Sequence, residues 1–336
     1  MSGDSSRPMP DAFSGTEGAL DSRLADAGEV SGGEAIGREF ALMGAADPDI
    51  VLVVPDLLGP VGAPFAQQFP KRVVELGIAE ANAMSVAAGM AACGFKPYVI
   101  CMAAFSAMKC AEQIRTDMAY TRMPVRILSC WSGLAMGLFG TSHHAIEEIA
   151  ITRAIAGLTV VAPSDDNVAR ALLRATQGVD GPVFFRIGGG NEARVYMQPP
   201  AIEAGRFIRV REGGAATVIA TGSGVPAAVQ AADRLAAEGI DIAVLDAAYL
   251  KPLDEAAIVA AARTSGAVIT VEEHTVAGGL GTAVAEVLAR HGIATRLRLL
   301  GLPDADLAVA TPDRLLDHYG LTAGGVARTV REVLRG

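Results

Sequence analysis

The sequence predicts an α/β protein made of two consecutive three-layer α/β/α domains with mostly parallel sheets. Apolar runs of strand length alternate with longer helical segments from residue 29 onward. The chain has 336 residues, which is enough for two domains of ordinary size. A stretch rich in glycine and proline, residues 191–204, interrupts the alternation and is interpreted as a linker.

The first domain is predicted over residues 29–190, after a loose tail of residues 1–28 that has no hydrophobic periodicity. Its strands are apolar runs, several of which end at Pro, Asp or Gly, and its helices carry apolar residues at helical spacing. In chain order the segments are a helix at 32–49, strands at 50–56 and 71–77, a helix at 78–94, a strand at 96–102, a long helix at 103–122, a strand at 124–131, a glycine-rich loop at 132–144, a helix at 145–155, a strand at 157–165, a helix at 166–177 and a strand at 181–190.

The second, smaller domain is predicted over residues 205–336, where the same alternation resumes. The second domain opens with two short segments, 207–213 and 216–224. They are followed by a helix at 225–239, a strand at 240–250, a helix at 253–266, a strand at 267–274, a glycine-containing segment at 275–292, a strand at 294–301 and a C-terminal helix.

Composition excludes several classes of partner. The net charge of −9 argues against nucleic acid or an anionic membrane surface, because both require clustered Lys and Arg. No apolar run approaches the length that spans a bilayer, and no secretory signal is visible at the N-terminus. The cysteines at positions 93, 101, 110 and 130 form no CxxC pair, so we interpret them as reduced core thiols of a cytoplasmic protein.

Two sets of residues in the first half of the chain are candidates for chemistry. Glu80 begins an otherwise small and apolar helix, where it is either a favourable first-turn acid or a catalytic proton handler. Met102, Phe105 and Met108 recur at every third residue and therefore fall near one helix face. Spacing alone favours core packing for these three side chains.

Two further candidates follow the central strands. His143 and His144 lie in a glycine-containing loop ahead of a helix, and imidazole titrates near neutral pH, although paired surface histidines are common. Arg186 stands at the C-terminal end of a strand, where open α/β sheets bind ligands. Its alternative interpretation is a surface salt bridge.

Other kinds of site are poorly supported by the sequence. It contains no GxSxG elbow and no Walker A loop, and "GGLG" lacks the GxGxxG spacing. Glu272, Glu273 and His274 carry metal-ligand chemistry, but no second cluster completes a site, so no metal site is predicted.

Taken in order, these features resemble the C-terminal two-thirds of transketolases. The resemblance covers residues 29–336, the pyrimidine-binding domain followed by the C-terminal domain, and its layout is that of the C-terminal (beta) subunit of split transketolases. It rests on "PDL", "ELGIAEANAMSVAAGMAACGFKPYV", "AFSAMKCAEQIR", "TSHHAIEEIAITRAIAGLTVVAPSD", "GPVFFRIG" and "VEEHTVAGGLG".

The resemblance implies thiamine diphosphate as cofactor and ketol transfer from a ketose donor as the activity. The family's glutamate, matched by Glu80, hydrogen-bonds N1′ of the cofactor's aminopyrimidine and so promotes loss of the thiazolium C2 proton. We expect burial to raise the pKa of this carboxyl and suit it to sharing a proton. By the same match Phe105 stacks on the pyrimidine, Met102 and Met108 fill neighbouring positions, and Asp56 lies near the thiazolium.

The resemblance also implies the substrate contacts. His143 matches a histidine that works beside the reacting carbons, and His144 is assigned to substrate binding with it. Arg186 matches an arginine that grips the substrate phosphate.

A partner subunit follows from a missing motif. The family holds the diphosphate and its Mg²⁺ with a GDG motif followed by Asn, and this pair is not found in the sequence. The resemblance therefore implies an N-terminal (alpha) subunit that carries GDG…Asn, an active site between the two chains and an α2β2 heterotetramer.

Four departures from the family pattern concern substrate polarity. Phe139 replaces an acid that reads sugar hydroxyls, Trp131 replaces a histidine and Gly33 replaces an arginine that helps bind phosphate, while the serine after "ADL" is lost in "PDLLGP". These changes remove partners that charged and hydroxylated substrates need. We expect a donor or acceptor less polar than pentose phosphates, in a specialised biosynthetic pathway.

Three alternatives stay open at this point. They are the beta subunit of a 2-oxo acid dehydrogenase, a deoxyxylulose-phosphate-synthase-like enzyme that acts on pyruvate, and a non-catalytic subunit that retains the fold. The joint presence of Glu80, Phe105 and His143 weighs against the last of these.

Overall fold

A computed structural model of the chain describes residues 31–190 and 192–336, and it confirms the predicted α/β architecture. The predicted tail, residues 1–28, lies outside the described residues. Within those ranges the strands form one seven-stranded and one five-stranded sheet. None of the helices described is long and apolar enough to cross a membrane.

The seven-stranded sheet has the order β10-β5-β6-β4-β3-β1-β2, and β10 is its antiparallel edge strand. The other strands run parallel, so their carboxyl ends meet at one edge. Its strands are β1 Ile50–Val54, β2 Val73–Glu75, β3 Lys96–Met102, β4 Arg126–Cys130, β5 Thr159–Val161, β6 Val183–Arg186 and β10 Tyr249–Lys251. Every residue of β1, β4 and β6 is buried, as expected for parallel strands with helices on both faces.

The first domain contains one helix that the sequence does not predict. Helix α2 was not predicted, because its sequence contains two glycines and two prolines, and Pro60 is tolerated there as it lies in the first turn. The helices are α1 Gly32–Ala46, α2 Gly59–Gln68, α3 Glu80–Ala92, α4 Ala103–Ser106, α5 Ala111–Gln113, α6 Glu148–Ala154 and α7 Asp166–Ala175.

The prediction of one long helix at 103–122 is wrong. The segment breaks into the short helices α4 and α5 with a turn between them, and a π-helical stretch, Ile114–Ala119, follows. At the break the buried Ser106 hydroxyl lies 2.7 Å from the Ser129 hydroxyl in β4 and 3.2 Å from the Ala103 carbonyl. Such side-chain hydrogen bonds compete with helix continuation, and apolar periodicity alone does not reveal them.

The five-stranded sheet has the order β12-β11-β8-β9-β7, with β7 antiparallel to β9. Its strands are β7 Ile208–Arg211, β8 Ala216–Ala220, β9 Ile242–Asp246, β11 Val268–Thr275 and β12 Leu297–Leu302. The helices around it are α8 Gly224–Ala236, α9 Glu255–Thr264, α10 Leu280–Arg290, α11 Pro312–His318 and α12 Ala323–Arg335.

The predicted single strand at 240–250 is in fact two strands that belong to different sheets. Strand β9 ends at Asp246, and β10 then pairs with β5 of the seven-stranded sheet through Tyr249 and Lys251. The polypeptide therefore crosses between the sheets, and Tyr249 packs into the core of the first. An uninterrupted apolar run does not indicate which sheet each half joins.

The predicted linker is docked on the first domain. An Asp165 carboxylate oxygen accepts hydrogen bonds from the backbone N–H groups of Val195 and Tyr196 at 2.8 and 2.9 Å. Arg194 forms an ion pair with Asp166 at 2.7 Å. The domain boundaries themselves stay a prediction.

Two glycines in helices offer a matched test of this packing. An added Cβ at Gly37 of α1 would lie 2.5 Å from the Pro60 carbonyl oxygen, whereas one at Gly89 of α3 meets nothing within 4 Å. We expect Gly37→Ala to destabilise the fold by about 1–3 kcal/mol through overpacking. We expect Gly89→Ala to stabilise it by about 0.5–1 kcal/mol through the helix propensity of alanine. Urea unfolding of both variants measures the difference, and equal shifts would contradict the close approach of α1 and α2.

Candidate active site

The carboxyl edge of the seven-stranded sheet gathers the predicted site residues. Asp56 follows β1, Glu80 follows β2 as the first residue of α3, and Phe105 follows β3 in α4. His143 lies in the segment after β4, and Arg186 is the last residue of β6. This edge is where open parallel sheets bind ligands. The structure groups some of these side chains closely and separates others.

Glu80 is buried, with 4% of its surface exposed, at the N-terminus of α3. This position favours a carboxylate, because the positive end of the helix dipole lies beside it. One carboxylate oxygen, Oε2, accepts a hydrogen bond from Nζ of Lys109 at 2.7 Å. Glu80 is therefore paired with an ammonium group and is not an isolated acid in an apolar pocket.

The expected direction of the Glu80 pKa is wrong for this chain. Burial does act to raise the pKa, but the hydrogen bond from Lys109, a backbone hydrogen bond and the charge of the ammonium together outweigh it, so the pKa is lowered. The apolar neighbours of Glu80 in the sequence favour a raised pKa, but Lys109, which is 29 positions away in the sequence, pairs with Glu80 in space. A signal was present, since Lys109 is the one charged residue between Lys96 and Glu112.

Aromatic contacts extend the cluster from Lys109 to the histidine loop. The Lys109 ammonium lies 5.3 Å from the centroid of the Phe105 ring. The Phe105 ring meets the His143 ring edge-on at 5.4 Å between centroids, and Phe139 lies 5.0 Å from His143 on another side. His143 Nδ1 is 2.9 Å from the Ser142 hydroxyl, which helps to fix the ring. Glu80, Lys109, Phe105, His143 and Phe139 thus form one contiguous group, called the edge cluster below.

The remaining residues assigned to the cofactor are placed less closely. Met102 is the last residue of β3 and is half-buried, whereas Met108 and Asp56 are exposed. The core interpretation of Met108, which its spacing favours, is therefore wrong. The core interpretation of the cysteines is also wrong for Cys93, which is exposed, whereas Cys101, Cys110 and Cys130 are buried.

His144 is not brought into the edge cluster. Its buried ring donates a hydrogen bond from Nε2 to the Gly137 carbonyl oxygen at 3.3 Å, which holds the 3-10 turn Gly137–Ser142. His144 thus stabilises the conformation of its own loop, and its predicted contact with substrate stays a prediction.

Arg186 is also engaged within the chain. It is 2% exposed, and its guanidinium donates from Nε to Glu148 at 2.9 Å and from a terminal nitrogen to the Glu273 carbonyl oxygen at 2.6 Å. Burial raises the pKa of Glu148 to about 7, although the Arg186 charge acts to lower it. The guanidinium already has a carboxylate partner in the core, and its predicted grip on a substrate phosphate stays a prediction.

The three consecutive polar residues of β11 are structural. Glu272 accepts hydrogen bonds from two backbone N–H groups at the start of α10, at 2.6 and 2.7 Å. Glu273 accepts one from the backbone N–H of Leu134 at 2.5 Å. His274 Nε2 accepts one from the backbone N–H of Ile149 at 3.1 Å, and burial lowers its pKa to about 3. Among the described residues no group of three His, Cys, Asp or Glu side chains is arranged to hold a metal ion.

Two of the departures from the family pattern line one shallow cleft at the same edge. Gly33 and Trp131 both face it, together with the glycine run 188–190. A Cβ at Gly33 would lie 2.8 Å from Pro60 Cγ, so a larger residue there requires α2 to shift. A Cβ at Gly59 would lie 2.8 Å from the Trp131 ring. The third departure, Phe139, is 61% exposed beside His143. Apolar groups thus stand at the three positions that the resemblance matches with polar residues.

The edge cluster fits an aminopyrimidine ring. It offers a buried carboxylate for a ring nitrogen and, next to it, an aromatic face for stacking, both on elements fixed by the sheet. A diphosphate–Mg²⁺ group finds no counterpart, because the GDG…Asn pair is not found in the sequence.

Comparisons with known proteins bear on the family of this chain. The chain matches the transketolase pyrimidine-binding domain over residues 29–191 and the transketolase C-terminal domain over residues 205–326. It is 35% identical over 291 residues to one subunit of the apulose-4-phosphate transketolase of Phocaeicola vulgatus, and the match covers 86% of this chain and 93% of that subunit. A solved structure of a split-gene transketolase, described as an inactive β4 tetramer, is 36% identical with a TM-score of 0.81 and covers 91% of this chain and 98% of that one.

A longer relative shows which part of the family architecture is present. The 1-deoxy-D-xylulose-5-phosphate synthase of Desulforudis audaxviator is 34% identical over 333 residues, which cover 97% of this chain but 52% of the synthase. The predicted resemblance is confirmed: the chain belongs to the transketolase family of thiamine diphosphate-dependent enzymes and carries its pyrimidine-binding and C-terminal domains.

Proposed function

We propose that the chain is the C-terminal subunit of a split transketolase-like enzyme that transfers a two-carbon ketol unit from a ketose donor to an aldehyde-type or atypical acceptor. The observation that carries this proposal is the grouping of Glu80, Phe105 and His143 at the carboxyl edge of the sheet, where the Lys109 ammonium connects Glu80 to the Phe105 ring. A non-catalytic subunit has no need for a buried acid, an aromatic face and an imidazole side by side.

Each residue of the edge cluster has a distinct role in the proposal. Glu80 holds a proton at N1′ of the aminopyrimidine, Phe105 stacks on that ring, and His143 moves a proton beside the reacting carbons. Bound thiamine diphosphate supplies the nucleophilic carbon and the electron sink that cleavage of a carbon–carbon bond requires. The chain's own contribution is placement, exclusion of water and proton handling.

The proposal includes a partner subunit. An N-terminal (alpha) chain with the GDG…Asn motif would hold the diphosphate and Mg²⁺, in an α2β2 assembly within the cytoplasm. Large apolar side chains stand exposed on segments that follow the carboxyl ends of the strands, as expected where a second chain packs. They are Leu57, Ile78, Met108, Leu138 and Phe139.

The substrate is proposed to be less polar than a pentose phosphate. The support is the apolar character of Gly33, Trp131 and Phe139, and the buried ion pair that engages Arg186. A specialised biosynthetic pathway suits such a substrate better than central carbon metabolism.

Reconstitution tests the proposal directly. The chain is co-expressed with a candidate subunit that carries GDG…Asn, and the purified complex is assayed with ketose donors and, separately, with pyruvate. Ketol transfer that requires both chains, thiamine diphosphate and Mg²⁺ is the expected result, with a mass that corresponds to α2β2 by light scattering. Turnover of pyruvate alone would support a synthase-like or oxo-acid dehydrogenase-like enzyme. Inactivity of a complex that holds no cofactor would support a non-catalytic subunit.

Position 139 offers a test of substrate polarity. Phe139→Asp restores the acid of the family pattern, and we expect it to raise kcat/KM of the complex for ribose 5-phosphate by about tenfold through a charge-assisted hydrogen bond to a sugar hydroxyl. Leu138→Asp is the matched control, because Leu138 is adjacent in sequence and is exposed to a similar degree as Phe139. An equal response of both variants would show that added charge, and not hydroxyl recognition, is responsible.

A further inference from the structure

Lys109 makes the same two contacts that the proposed function assigns to the cofactor's pyrimidine ring. Its ammonium donates a hydrogen bond to the Glu80 carboxylate at 2.7 Å, the group that the proposed function pairs with N1′. It also lies 5.3 Å from the centroid of the Phe105 ring, on which the pyrimidine would stack. A single ammonium group therefore interacts with both the carboxylate and the aromatic ring.

We propose that the Lys109 ammonium occupies the place of the aminopyrimidine in the cofactor-free subunit, so that cofactor loading breaks the Glu80–Lys109 ion pair, releases Lys109 and takes up one proton at Glu80. This inference rests on the proposed function, because it uses Glu80 and Phe105 as the cofactor contacts. It makes Lys109 a positioning residue, one that acts on the cofactor through Glu80.

The burial of the two partners decides which one moves. The Lys109 side chain is 53% exposed, whereas the Glu80 side chain is 5% exposed. Lys109 reaches Glu80 from the turn between α4 and α5, on a flexible four-carbon stem that can return to solvent at little cost. Glu80 is held at the start of α3 and cannot follow.

The uptake of a proton by Glu80 is inferred from the titratable groups that face it. Among the residues that the structure describes, these are Lys109 and the thiols of Cys101 in β3 and Cys110 in the following turn. Burial raises the pKa of both thiols, that of Cys110 to about 12, so they are uncharged at pH 7. When Lys109 leaves, no cation replaces it within this group, and burial then favours the protonated acid. The proton comes from the buffer and is shared between Glu80 and N1′.

Calorimetric titration of thiamine diphosphate with Mg²⁺ into the cofactor-free complex of both subunits tests this inference without measuring turnover. Titrations at pH 7.5 in two buffers of different ionisation enthalpy give the number of protons taken up. We expect close to one proton for the unmodified complex, and an affinity that falls by up to tenfold per pH unit above neutrality.

Lys109→Met removes the competing ammonium. We expect the Kd for the cofactor to fall by about threefold to tenfold, the range for a half-exposed, charge-assisted pair. Proton uptake should fall well below one, because Glu80 is then partly protonated before the cofactor binds. Lys109→Arg keeps the charge and should retain most of both effects. Lys71→Met, at an exposed lysine outside the cluster, is the control and should change neither quantity.

An unchanged Kd and unchanged proton uptake in Lys109→Met would overturn the inference, provided that Glu80→Gln still weakens binding or alters uptake in the same titration. If Glu80→Gln also changes neither quantity, or if the complex binds no cofactor, the proposed function itself fails and the inference with it. The two failures are therefore distinguishable. Circular dichroism of each variant checks that the fold is retained.

Discussion

Replacing Glu80 by glutamine is expected to lower kcat of the assembled enzyme by about 10²–10⁴-fold, the range for loss of a positioned acid–base group. Glutamine keeps the size and one hydrogen bond of the side chain but cannot hold or release the proton at N1′. The buried site at the start of α3 gives water little access to substitute for the carboxylate. Initial rates of ketol transfer at saturating cofactor measure the loss.

Glu112→Gln is the matched control for this experiment. It removes an exposed carboxylate from α5, on the segment that follows the edge cluster, and should leave kcat within twofold of the unmodified enzyme by the small effect usual for exposed sites. If Glu80→Gln retained a similar rate, Glu80 would be only a favourable first residue of α3.

Replacing Arg186 by methionine is expected to lower the free energy of unfolding by about 3–5 kcal/mol. The guanidinium is fully buried, and its loss leaves the Glu148 carboxyl in the core without its cation and the Glu273 carbonyl without its donor. The unfolding free energy of the isolated chain in urea measures the change.

Two further variants separate the possible causes. Arg38→Met removes an arginine from the exposed pair with Glu34 in α1, and its effect should stay below about 1 kcal/mol. Combining Arg186→Met with Glu148→Leu removes both buried charges and should recover part of the lost stability. If Arg186→Met left stability unchanged and instead raised KM for phosphorylated substrates alone, Arg186 would bind the phosphate as the family resemblance implies.

The fold was predictable because its signals are local. A buried strand such as β1 is a continuous apolar run bounded by Pro55 and Asp56, and α3 carries small apolar residues from Glu80 to its end. The errors arose where local signals are ambiguous. The run at 240–250 reads as one strand, but β10 leaves for the other sheet, and the periodicity at 103–122 continues across a break in the helix.

For the candidate site, too, the sequence indicated some residues and the structure alone showed others. Residue type and order identified Glu80, Phe105 and His143, and the structure places the Phe105 ring against His143 and near the ammonium that pairs with Glu80. Residue type alone does not separate two possible roles of His144 and Arg186, since imidazole and guanidinium groups serve both as substrate contacts and as the buried hydrogen-bond donors seen here. Lys109 is the one charged residue between Lys96 and Glu112, but this isolation does not indicate which acid it pairs with.

The sequence by itself therefore determined the α/β class, the order of most elements and the family, because each depends on local periodicity or on the linear order of motifs. The tertiary structure alone decided which charges meet: Lys109 with Glu80, 29 positions away, and Arg186 with Glu148, 38 positions away. These pairs join separate elements of the sheet's edge and core. Their ionisation depends on the distance and burial that packing creates, and no local pattern encodes either quantity.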